Sequence, residues 1–126
     1  MLPIEVHEIT LTRWDRPVAG TPISLASDVA IRVLTPRIGP TGTLFLYRFA
    51  AHDVTTERTT YQTLAAELGV APAVMVRTIE RVIRFGYARW ADTDCRLLEV
   101  PTQLGSGTST GGGTPTARPV PDLRAA

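Results

Sequence analysis

Apolar residues recur at helical spacing through the middle of the chain. Leu64, Ala65 and Leu68 fall on one face of a short helix, Gly69 follows where a left-handed residue closes it, and Val70 plugs the turn. Thr60 has the chemistry of an N-cap for this helix. A second helix opens at Ala71-Pro72, where proline is tolerated because first-turn amides have no intrahelical partner. Along it Met75, Ile79 and Val82 share one face, until Gly86 ends it and residues 87–90 become extended. The segments 87–90 and 96–100 read as strands around Ala-Asp-Thr-Asp-Cys, which makes a β-hairpin with a short tip.

Upstream, Gly39-Pro40-Thr41 reads as a helix entry, and Leu44, Leu46, Tyr47, Phe49 and Ala50 give an apolar helix through about Ala51. Residues 53–58 are polar and break it, and Arg58-Thr59 forms a brief strand before the next helix. The first 39 residues read differently. Ile4-Glu5-Val6 and Ile9-Thr10-Leu11 alternate like short strand segments, and the β-branched run from Val29 to Leu34 reads as a third. Pro17, Gly20 and Pro22 mark irregular chain between them. Residues 1–39 are therefore expected to be an extended arm. Residues 105–126 are dominated by Gly, Ser, Thr and Pro; ordering them costs backbone entropy with little apolar surface to bury, so a disordered tail is expected. Between arm and tail, residues 40–104 read as an α+β domain with a three-helix core and a small β-hairpin.

The run LAAELGVAPAVMVRTIERVIRFGYARW resembles the bacterial winged helix-turn-helix pattern, in which an LAxxLGV element precedes a helix ending in an RxGxx segment and then the wing. More loosely, TRWDRPV and IGPTGTLFLYRFA are similar to uncharacterised actinobacterial winged-helix proteins. The resemblance implies a winged helix-turn-helix fold. It also implies a DNA-binding protein, a transcriptional regulator of bacterial or phage origin that meets double-stranded DNA as a homodimer.

Composition sets limits on this picture. With 126 residues and 44% hydrophobic content, the chain suits one domain with a modest core. The net charge is only +1, so affinity for a polyanion must come from local charge. All thirteen basic residues are arginine, a composition resembling that of a high-GC genome. Met1 leads into Leu-Pro-Ile-Glu rather than a basic and then apolar leader, and the single Cys95 has no intramolecular disulfide partner; a cytoplasmic location is expected. No apolar run approaches the roughly 20 residues that span a bilayer. His7 and His52 are far apart, neither stands at zinc-ligand spacing with Cys95, and no Gly-rich loop joins a strand to a helix. The expectation is therefore no enzyme, no catalytic residue, no metal and no cofactor. Cys95 reads as a small packing residue in a strand, and Trp90 as a core or hairpin-packing aromatic.

Candidate DNA-binding residues follow from helical geometry. With Met75 at zero, Ile79 lies near 40° and Val82 near −20°, while Arg77, Arg84 and Arg81 lie near 200°, 180° and 240°, at about 100° per residue. The arginines form a stripe opposite the apolar face of helix 71–85, as a helix docked in the major groove requires. Ala73 and Val74 occupy its first turn, where they suit thymine methyls rather than hydrogen-bonding base edges. Thr60, Tyr61 and Gln62 begin the preceding helix, whose N-terminus attracts phosphate. Arg89 and Arg96 in the hairpin reach toward phosphates, opposed by Asp92 and Asp94. Two simpler readings stand beside these. Glu80 and Arg84 have the i, i+4 spacing of a surface pair, and Arg84 suits the negative end of the helix dipole. Val76, at about 100° on the same wheel, either extends an apolar edge with Ala73 and Val74 or packs under the first helix. That edge supports an alternative: a winged-helix protein-protein interaction module with little DNA affinity.

Overall fold

Ser27 is extended (φ −136°, ψ 158°) and its hydroxyl accepts the Ala30 amide at 3.3 Å, which starts a long helix, α1, Asp28–His52. In this computed structural model, which describes residues 6–105, α1 begins well before the Gly39-Pro40 entry suggested by the sequence. The run from Val29 to Leu34 is helical, not a strand. Ala30, Leu34 and Ile38 recur every fourth residue and are buried, while Val29 and Val33 stay at the surface. A capped apolar stripe outweighs the weak β-preference of branched side chains. Gly39 interrupts α1 with φ 84° and ψ 167°, so two helical stretches meet at a kink between Pro36 and Pro40. The second stretch is the helix the sequence suggests, and it buries Phe45, Leu46 and Phe49. It ends at Asp53, which adopts the left-handed conformation that aspartate tolerates (φ 51°).

The elements in chain order are β1 Glu8–Arg13, β2 Pro22–Ser24, α1, β3 Thr56–Thr60, α2 Tyr61–Leu68, α3 Pro72–Arg84, β4 Arg89–Trp90, β5 Leu97–Val100 and β6 Gln103–Gly105. The turn between α2 and α3 forms as its residues dictate. Thr60 accepts the Thr63 amide at 3.0 Å, Gly69 is left-handed (φ 74°), and proline opens α3. Met75, Ile79 and Val82 of α3 are buried together with Leu64 and Ala65 of α2.

The sheet departs most from the expectation for the N-terminal residues. Its strand order is β3-β1-β5-β4, with β1 antiparallel to β3 and parallel to β5. Thr10 therefore stands opposite Arg58 on one side and Leu97 on the other. Ile9 and Leu11 enter the core from β1. The described part of the expected arm, residues 6–39, is thus not peripheral and extended: it supplies an interior strand and the first stretch of α1. Because β1 lies between them, β3 does not pair with the β4–β5 hairpin.

A second sheet joins β2 to β6, with Pro22 opposite Gly105. Gly105 is therefore a paired strand residue and not the start of the tail. A Cβ on it would stand 2.5 Å from the Ala19 carbonyl oxygen, so the close approach requires glycine. The rest of the expected tail, residues 106–126, and the strand segment at Ile4-Glu5 lie outside the described residues. Trp90 packs partly buried against the core, as its residue type suggests.

Arg48 ties three elements together. From α1 its guanidinium donates to Glu57 of β3, at 2.9 Å for one of two bonds, and to Glu67 of α2 at 2.5 Å. These bonds, with Glu57 foremost, hold the arginine above its usual pKa despite the opposing effect of burial.

Candidate nucleic-acid interface

On α3 the buried face of Met75, Ile79 and Val82 leaves Arg77, Arg81 and Arg84 exposed. None of their guanidinium groups makes a hydrogen bond or ion pair with another described residue. The Glu80–Arg84 pair permitted by the spacing does not form. Arg81 leans toward α1, where its Nη1 lies 3.5 Å from the position of a Cβ on Gly39. Arg77 and Arg84 are the less encumbered members of the stripe. In the first turn Ala73 is exposed and Val74 half-buried. Val76 packs against the core, so the exposed apolar edge expected beside the arginines is shorter than the wheel suggests. The neighbouring helices cover more of the circumference of α3 than a single buried stripe would.

The start of α2 offers less to an anion than its sequence implies. The Thr60 hydroxyl is occupied twice, accepting the Thr63 amide and donating to the Thr63 hydroxyl at 3.0 Å. Tyr61 is a core residue, only 6% exposed, and burial pushes its phenol up to about 12. It is therefore not a surface phosphate donor, because its ring completes the contact of α2 with the core. Gln62 remains exposed.

In the hairpin the two arginines differ. Arg89 donates to Glu99 across the strand pair at 2.6 Å, and its guanidinium carbon lies 4.4 Å from the centre of the Trp14 ring. Its Nε is thus held by a carboxylate within the protein, which partly neutralises its charge. Arg96 is exposed and its guanidinium makes no hydrogen bond or ion pair with the described residues. Its backbone amide and that of Leu97 donate to the Asp92 carboxylate, each at 3.1 Å. Asp92 thus organises the tip of the hairpin, while Asp94 is exposed. Cys95 is neither in a strand nor packed: it is exposed in the tip with φ 57°. The turn extends one residue further than the alternation implied.

The structure also assembles a group of residues that the sequence pattern did not single out. Arg16 and Arg89 both lie over Trp14, with the Arg16 guanidinium carbon 4.6 Å from the ring centre. Arg16 donates to the Gly86 carbonyl at 2.6 Å, and Arg37 donates to the Tyr87 hydroxyl at 3.2 Å. The only sequence signal for this group is the aromatic between arginines in Thr-Arg-Trp-Asp-Arg. Its contacts with residues 86–89 come from the path of the chain.

Among the described residues, no three His, Cys, Asp or Glu side chains are placed to hold a metal ion, and no helix is long and apolar enough to cross a membrane. Comparison of the chain with protein-family models, curated proteins and solved structures finds no match.

Proposed function

We propose that this chain is a winged helix-turn-helix DNA-binding protein in which α1, α2 and α3 form the helical core and β4–β5 the wing. It acts as a transcriptional regulator, a homodimer presenting two copies of α3 to successive major grooves. The carrying observation is the stripe Arg77, Arg81 and Arg84, exposed opposite the buried face of α3 and unpaired within the described residues. Guanidinium groups of this kind suit guanine edges and phosphates. Ala73 and Val74 make base readout sparse, so phosphate contact provides most of the affinity. The protein-interaction alternative has the weaker support, because Val76 is partly buried against the core.

Titration of the purified chain against duplex DNA at low and moderate salt tests the proposal. Salt-sensitive binding that weakens when Arg77 and Arg84 are both replaced by alanine is expected. Absence of binding at low salt, or affinity untouched by the double substitution, overturns it.

A further inference from the structure

We infer that Arg16, Arg37 and Tyr87 form a binding site for a phosphate oxyanion at the junction of α1, the end of α3 and the segment after β1. Three observations lead there. First, charge at this junction is unbalanced: Arg89 has Glu99, but neither Arg16 nor Arg37 has a carboxylate partner among the described residues. Second, Arg16 donates to the Gly86 carbonyl and Arg37 to the hydroxyl of the next residue, Tyr87, and Arg16 lies within electrostatic reach of Tyr87. Third, Tyr87 is only 8% exposed, and its hydroxyl accepts from Arg37 while its own proton has no acceptor among the described residues.

A part-buried hydroxyl that accepts from a cation has its proton available to donate toward an anion. Arg16 and Arg37 each use one donor on the protein and leave most of their five N–H groups available. Burial pushes the Arg16 guanidinium below its usual pKa, Tyr87 opposes that effect, and the charge of Arg89 adds to it. A half-buried guanidinium in this position is stabilised by a counter-charge, and a tetrahedral oxyanion accepts from a guanidinium fork and a hydroxyl together. Trp14 lies against Arg16 and Arg89, so its environment reports on the charge state around Arg16. A free phosphorylated compound and a nucleic-acid backbone share this chemistry, and the site does not depend on α3 docking on DNA.

Inorganic phosphate, titrated against chloride at constant ionic strength, provides the direct probe, with the Trp14 indole N–H resonance as the readout. Duplex DNA is the second arm, and Tyr87→Phe and Arg37→Gln are the variants. A saturable shift with phosphate that weakens roughly tenfold in Tyr87→Phe, as expected for a hydrogen bond to a charged group, identifies a free phosphate ligand. A shift produced only by the duplex, and weakened by the same variants, identifies a backbone phosphate. No shift with either probe, or shifts that both variants leave unchanged, overturns the inference. Failure of the chain to bind duplex DNA refutes the proposed function and leaves the phosphate arm readable.

Discussion

The Arg81 guanidinium lies against Gly39, with Nη1 3.5 Å from where a Cβ on that glycine would stand. The stripe on α3 therefore meets the kink of α1, and the backbone of Gly39 sets the spacing between them. At φ 84° and ψ 167° Gly39 occupies a region open essentially only to glycine. Gly39→Ala is expected to destabilise the fold by about 1–3 kcal/mol through backbone strain. Arg81→Ala, at an exposed side chain, is expected to change stability by no more than about 0.5 kcal/mol. Urea unfolding of the two variants measures the difference, and equal losses would place the strain elsewhere.

Arg48 shows where charge contributes to the fold rather than to a surface. Its side chain is 11% exposed, against 21% for Glu57 and 46% for Glu67. Replacing Arg48 with methionine keeps much of the packing but strands the part-buried Glu57 carboxylate, at an expected cost of about 1.5–3 kcal/mol. Glu67→Gln removes a half-exposed partner and is expected to cost less than about 1 kcal/mol. A double-mutant cycle in chemical denaturation checks that the coupling of Arg48 to Glu57 exceeds its coupling to Glu67.

The segment from α2 through the hairpin was legible because its signals are local. Thr60 caps, Gly69 and Gly86 are left-handed at 74° and 84°, and Met75, Ile79 and Val82 share one face. The first 39 residues were not legible in the same way. Leu34 and Ile38 lie on a stripe with Ala30, but the branched residues between them suggest a strand, and the Ser27 cap is the signal that favours the helix. The parallel pairing of β1 with β5 joins Thr10 to Leu97, and no local pattern encodes a pairing of that separation. The candidate site divides similarly. The exposure of Arg77 and Arg84 follows from helical geometry, whereas the engagement of Arg89 depends on Trp14, brought alongside by β1. Burial of Tyr61 also depends on tertiary packing, since the first residue of an isolated helix has no core to enter.

Tyr61 gives the fold a dependence on alkaline pH. Its phenol rises from 10.0 to about 12, chiefly by burial, because the core disfavours the phenolate. The folded state thus holds the proton more tightly than the unfolded state. The associated stability is present below pH 10, declines as pH rises, and is lost through about pH 12. Tyr61→Phe removes the titrating group and is expected to flatten this part of the profile. Denaturant midpoints measured from pH 8 to 12 for both proteins check it; parallel profiles would show that Tyr61 does not carry the transition.

The exposed and engaged arginines should separate in the salt dependence of DNA binding. Each phosphate contact that releases a counterion contributes about 0.9 to the slope of log affinity against log salt on duplex DNA. Arg77→Ala and Arg84→Ala are each expected to lower the slope by about that amount if the side chain meets a phosphate. Arg89 differs because Glu99 and Trp14 already hold it. Arg89→Ala should leave the slope unchanged while lowering the thermal midpoint, since it leaves Glu99, whose side chain is only 23% exposed, without its partner. Fluorescence titrations across a salt series, paired with thermal melts, distinguish the two classes. A loss of slope in Arg89→Ala as large as in Arg77→Ala would make the wing a direct phosphate contact.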